Sequence, residues 1–168
     1  RFGRRRLRLP LTADRMWLDW DLALAVGGHD PSVKRTYAAL LTSATPPEMM
    51  LDIGSSYGSH SLVFLAHGIP TISFEPNPAC HAYFREACTL NGVVADLEPV
   101  ALGAVAGSAD LVFPEDETWM GSIDPGVQRR LGSGGVVSSR RVPVATLDDY
   151  LPRFTGRRLL VKIDTEGF

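Results

Sequence analysis

One turn, and one acid a strand later, hold most of the residues whose types and spacing suggest chemistry. The stretch LDIGSSYGSHS, Leu51 to Ser61, places Asp52 ahead of a turn containing Gly54, Ser56 and Gly58, and Glu75 follows Gly54 by 21 residues. Glycines in a turn after a strand let the backbone approach a nucleotide-type ligand. An acid at the end of the next strand can accept hydrogen bonds from both ribose hydroxyls. Such an acid implies free hydroxyls, because it would repel a 2'-phosphate. Asp52 is an acid in an otherwise apolar run, MMLDI. Burying it is costly unless a ligand ammonium or backbone N–H groups of the turn face it.

The glycine pattern selects among nucleotide ligands. A dinucleotide loop wants G-x-G-x-x-G, the middle glycine giving room for pyrophosphate. Here Ser56 replaces that glycine, Tyr57 adds bulk beside it, and no G-x-x-x-x-G-K-[ST] occurs. S-adenosylmethionine offers an ammonium, a carboxylate and a ribose without phosphates, and fits this inventory better than NAD. Each piece also has a plainer reading, Gly54 and Gly58 as turn residues and Glu75 as an exposed strand-end acid. Their order and strand placement together favour a cofactor site.

These residues need strands and helices to hold them. MMLDI reads as a buried parallel strand entering the turn. SHSLVFLAH reads as a short helix stopped at Gly68, and IPTISF as a second strand ending at Glu75. Asn77-Pro78 is a cap with proline at the first helical position, and the helix runs to Asn91-Gly92. LEPVALGA reads as a third strand, the Gly/Ser/Pro-rich residues 107–139 as a hairpin with a long loop, and RRVPVATLDDYL as a short strand and a helix start. Thr146 and Asp149 stand in capping-box relation. LLVKID reads as the fourth strand, the last one visible in the sequence. Before all of these, Asp30 to Leu41 reads as a helix capped by Asp30, expected over the ligand entrance. The order implies an α/β fold, a Rossmann-like doubly wound, mostly parallel sheet with its first strand central and the turn at the switch point.

Composition agrees with one ordinary globular domain: 168 residues, 45% hydrophobic, 21% charged, net charge −2. RFGRRRLRLP carries five Arg and no acid. This divides the chain into a basic arm and lead-in, 1–28, and a domain, 29–168. The arm reads as a solvated tail or linker more readily than as a nucleic-acid or lipid patch. MWLDWDLALAV is interrupted by Asp19 and Asp21 and is too short to span a bilayer. Cys80 and Cys88 on one helix lie roughly 12 Å apart along it, too far for a disulfide, which suggests a reducing, cytoplasmic compartment. The four His show no metal-ligand spacing, so no metal is expected.

Taken together, LDIGSSYGSHS, FEPNP, LNG, VALGA, VATLDDYL and VKIDTEGF resemble the FkbM family of S-adenosylmethionine-dependent methyltransferases, over residues 48–168. Where that family usually carries Ala-Asn in the turn, this chain has Ser55-Ser56. The resemblance implies the class I methyltransferase fold and O-methylation of a hydroxyl on a sugar, glycolipid, polyketide or similar metabolite. Asp52, Gly54, Ser56 and Gly58 would line the methionine end of the donor, Glu75 the ribose, and Val100 and Ala101 the adenine. In that fold three more strands follow the fourth, so the C-terminal strands and part of the acceptor pocket are expected to be missing.

Methyl transfer from a sulfonium is an in-line displacement needing alignment, and a hydroxyl acceptor must also lose its proton. Asp164 and Glu166, at the end of the fourth strand, are the candidates for orienting the donor and accepting that proton; capping the next turn is the alternative for each. His60 reads more readily as an N-terminal packing residue than as a base. Lys162 is expected to pair with an acid whose identity the sequence leaves open, and Tyr57 either to approach the donor or to cover the sheet. Two rival readings remain: a nicotinamide-dependent oxidoreductase, and a non-catalytic cofactor fold presenting its Arg arm to nucleic acid. Tyr37, Tyr57, Tyr83 and Tyr150 lack the Tyr-x-x-x-Lys partner of short-chain dehydrogenases.

Overall fold

The computed structural model describes residues 2–3, 5–10, 31–115 and 120–166. Asp30, expected as a cap, and the run MWLDWDLALAV lie outside them. The first described helix, α1, spans Pro31–Thr42, and strand β1 spans Met49–Ile53 with all five residues buried. Next come helix α2 (Ser59–Ala66), strand β2 (Thr71–Phe74) and helix α3 (Pro78–Leu90). Local chemistry fixes these limits. The Asn77 side chain accepts from the Ala79 N–H at 3.1 Å, Pro78 opens α3, and Gly68 takes φ 80° after α2.

The expected third strand forms in two pieces. Strand β3 (Asp96–Glu98) pairs with β2, whereas β4 (Ala101–Leu102) joins another sheet. Pro99 has no N–H to continue a ladder, and the Val100 N–H turns back to the Glu98 carbonyl at 2.9 Å. Strand β5 (Gly107–Pro114) pairs antiparallel with strand β6 (Val137–Ala145), so its partner is the RRVPVA strand read separately from the sequence, not a second strand within 107–139. Between them lies helix α4 (Pro125–Gly132), where sequence composition suggests only a loop. Asp124 caps it, accepting from Gly126 and Val127 at 2.8 and 2.9 Å. A 3-10 turn, Leu147–Tyr150, then runs into the short helix α5 (Leu151–Phe154). The Asp149 carboxylate accepts from the Thr146 N–H at 2.9 Å, one half of the anticipated capping box. Strand β7 spans Leu159–Ile163.

The main sheet is wholly parallel with order β3-β2-β1-β7, which puts β1 inside as expected. A second sheet, order β4-β6-β5, stands beside it. One face of the main sheet, through Leu51, Ile53, Ile72 and Phe74, packs on Phe154 and Tyr150. On the other face Met50 meets Val63 and Phe64 of α2 and Tyr37 of α1. Strand β7 is the edge, and its Val161 and Ile163 are 44% and 68% exposed.

The basic N-terminal stretch is not a free tail over its described residues. Phe2 is buried against the α1–α2 layer, Leu7 and Leu9 pack on core clusters, and Arg8 and Asn91 exchange two hydrogen bonds. Its leucines turn in and Arg5, Arg6 and Arg8 turn out, the alternation of an extended segment lying on a surface. Cys80 and Cys88 are not joined in a disulfide and are buried in the α2–α3 cluster, and burial pushes the Cys88 thiol up to about 12. No helix among the described residues is long and apolar enough to cross a membrane.

Candidate functional site

A cleft of about 330 Å³ opens at the C-terminal ends of β1, β2 and β7, where parallel α/β sheets bind ligands. Its lining brings together Gly54, Ser56, Glu75, Val100, Ala101, Asp164 and Glu166. Seven of the nine residues expected from sequence therefore meet in one place. Asp52 and Gly58 do not line it.

Gly54 leaves β1 with φ 73°, and a Cβ there would stand 2.1 Å from the Asp164 carbonyl oxygen. The glycine is thus required by the close passage of the chain after β7. The turn then spends its own donors. Gly54 and Ser55 N–H groups go to the Phe74 carbonyl at 3.0 and 3.1 Å, and Gly58 N–H goes to Ser55 at 2.8 Å. Ser56, the one described non-glycine residue at positive φ (49°), aims its N–H at Glu75 Oε2, 2.7 Å away.

Glu75 is held from several sides. Its Oε1 accepts from the Asn77 N–H at 2.8 Å, and its carbonyl accepts from His81 Nε2 at 2.7 Å. Burial holds the carboxyl above the ordinary glutamate range, while the N–H groups of Asn77 and Ser56 pull the other way. Both oxygens keep lone pairs beyond these bonds, and the side chain borders the cleft.

Asp52 lies beneath the turn with no exposure. It cannot meet a ligand ammonium in the cleft, a correction to its expected role at the methionine end. Its partner is Lys162, the residue beside it in the β1–β7 register, with Nζ 3.0 Å from Oδ1. That contact is an ion pair and not an aligned hydrogen bond, and Oδ1 has no other donor among the described residues. Oδ2 accepts from the Ser61 hydroxyl at 2.6 Å. Ser61 has one proton to give, so the Ser73 hydroxyl, 2.8 Å from it, must donate in turn. Lys162 Nζ also donates to the Gly54 carbonyl at 2.8 Å and lies 3.7 Å from Asp164 Oδ2. Adjacent charges in otherwise apolar neighbouring strands were the sequence signal for this pair.

Gly58 is structural as well. With φ 77° it precedes α2, and a Cβ would collide with the Phe84 ring at 2.0 Å. Tyr57 is buried edge-on to Tyr83, covering the helical layer rather than the cleft. His60 shares a 3.0 Å hydrogen bond with the Tyr37 hydroxyl. Burial lowers its pKa; Asp52 acts to raise it and Lys162 to lower it. Helix α1 supplies none of the cleft lining and packs on the Met50 face of the sheet, so it is no entrance to this cleft.

Four residues of the lining lack any obvious motif. Leu111, Gly121, Ser122 and Ile123, all from the β5–α4 region, form a further wall of the cleft. Asp164, 73% exposed at its side chain, and Glu166 complete the rim. Among the described residues the lining therefore holds three carboxylates and no Lys, Arg or His. Among the described residues no group of three or more His, Cys, Asp or Glu is placed to hold a metal ion. In comparisons with known proteins, the chain matches no family model, no curated protein and no solved structure.

Proposed function

We propose that this chain is the donor-binding part of an S-adenosylmethionine-dependent methyltransferase, acting on a hydroxyl of a sugar, glycolipid, polyketide or similar metabolite. The observation that carries the donor assignment is the charge of the cleft. Among the described residues Glu75, Asp164 and Glu166 line it with no cation on the lining; Lys162, 3.7 Å from Asp164, is held by the buried Asp52 and the Gly54 carbonyl, and the N–H groups of Gly54, Ser55 and Ser56 are already bonded within the protein. A pyrophosphate would meet repulsion and few free donors. A sulfonium with an ammonium and a free ribose meets attraction. This favours the methyl donor over a nicotinamide dinucleotide, although Glu75 alone suits both.

The donor, when bound, supplies a methyl group already activated by the positive charge on sulfur. The chain's residues then have three tasks. Glu75 accepts the ribose hydroxyls, held in place by Ser56, Asn77 and His81. Val100 and Ala101, on the lining beyond Glu75, offer apolar surface to adenine. Asp164 faces the cationic end of the donor, and Glu166 is the group to accept the acceptor's proton. The hydroxyl acceptor follows from the FkbM resemblance and not from the cleft.

Isothermal titration tests the donor assignment. S-adenosylhomocysteine should give saturable one-to-one binding, while NADH at equal concentration should give none. Tight binding of NADH with no heat from S-adenosylhomocysteine would overturn the proposal.

A further inference from the structure

Ser122 carries more connections than a wall residue needs. It is 3% exposed, and burying its hydroxyl is costly unless both its donor and acceptor capacities are used. Both are. The hydroxyl donates to the Glu166 carbonyl and accepts from the Asp124 N–H at 3.1 Å. The Ser122 backbone exchanges two 3.0 Å bonds with Val112 of β5. From α4, Gln128 reaches back to the carbonyls of Ser122 at 3.2 Å and Asp110 at 2.6 Å. One residue thus joins β5 through its backbone and the cap of α4 and the loop after β7 through its hydroxyl, and β5 and that loop border the cleft from different sheets.

We propose that Ser122 is a positioning residue that fastens the β5–α4 arm to the Glu166 loop, so that a ligand entering the cleft steadies both sides together. The Glu166 carbonyl and the Asp124 N–H have this hydroxyl as their common partner. Loss of the hydroxyl frees the loop from the arm without touching Glu75 or the turn after β1. The arm then sets where Glu166 stands relative to the main sheet, although it belongs to the second sheet. The ligand half of this inference rests on the proposed donor reading; the coupling half does not.

Amide hydrogen exchange separates the two. In the ligand-free protein, Ser122→Ala should speed exchange of the Asp124 amide, of the α4 cap and of residues 164–166 by about tenfold, the factor expected for one lost hydrogen bond. Amides of β1 and β2 should be unaffected. Ser122→Cys, of similar size but a poor donor, should behave like Ser122→Ala, and Ser122→Thr should restore slow exchange. With S-adenosylhomocysteine, protection in the wild type should extend from residues 54–75 into 107–114 and 121–132; in Ser122→Ala it should stay on the first group. Unchanged exchange in the ligand-free Ala and Cys variants, or no rescue by Thr, would overturn the coupling. Slow exchange restored by Thr in a protein that ignores S-adenosylhomocysteine would overturn the donor reading alone.

Discussion

Lys162→Met is expected to lower the unfolding free energy by about 3–5 kcal/mol, the cost of leaving a buried charge without its partner. Asp52 is fully buried and Lys162 is 13% exposed at its side chain, so water cannot replace the lost cation. Ser61 would remain as a donor to Oδ2, leaving Oδ1 with none. The variant also loses the bond from Nζ to the Gly54 carbonyl, which loosens the turn at the mouth of the cleft. The double variant Asp52→Asn/Lys162→Met keeps an acceptor for Ser61 and removes both charges, and should recover most of the loss. Denaturant titration reads these values. A change in Lys162→Met within about 1 kcal/mol, the range of solvent-exposed ion pairs, would show that the pair is not buried as described.

Glu75→Ala should weaken S-adenosylhomocysteine binding by about 1.5–3 kcal/mol, roughly tenfold to a hundredfold, through loss of charge-assisted hydrogen bonds to the ribose. The same change removes the acceptor of the Ser56 and Asn77 N–H groups, so the turn after β1 and the start of α3 lose a common anchor. A pH series separates charge from packing. The folded-state pKa of Glu75 is raised, chiefly by burial. Its proton is therefore held more tightly in the folded chain than in the unfolded one. The stability from this difference is fully present below the ordinary glutamate range and is lost as pH rises through the raised folded value. Glu75→Gln cannot titrate and should lack that slope. Nucleoside affinity of the wild type should rise across the same window, because the ionised carboxylate is the better acceptor. Equal affinity in Glu75→Ala and wild type would contradict the ribose assignment.

The parts of the fold legible in the sequence are those set by neighbours along the chain. Asn77-Pro78, Gly68 and the Thr146–Asp149 pair mark element ends through bonds to residues within a few positions. MMLDI and TISF are buried throughout, and their polar side chains are partnered, Asp52 by Lys162 and Ser61, Ser73 by Ser61 and Thr71 by the Ile69 carbonyl. The second sheet is less legible, since β4 pairs with β6 across some forty residues of sequence. Pro99 carried a signal for the break before β4. Asp124-Pro125 repeats the cap chemistry of Asn77-Pro78, though surrounding glycines and serines mask it.

In the site, the residues of the turn and of the strand ends converge as their spacing suggests. Asp52 does not, because a strand residue's face depends on register: one position along β1, Ile53 reaches the cleft while Asp52 turns to α2 and Lys162. Ser122 had no local signal at all, since its role comes from contacts with residues 44 positions away and with the cap of the following helix.

A crystal structure with S-adenosylhomocysteine bound tests the central claim most directly. The account predicts the nucleoside in the cleft, both ribose hydroxyls within hydrogen-bond distance of Glu75, adenine against Val100 and Ala101, and the sulfur facing Asp164 and Glu166. A nucleoside bound elsewhere, or one in the cleft with its ribose turned away from Glu75, would contradict it.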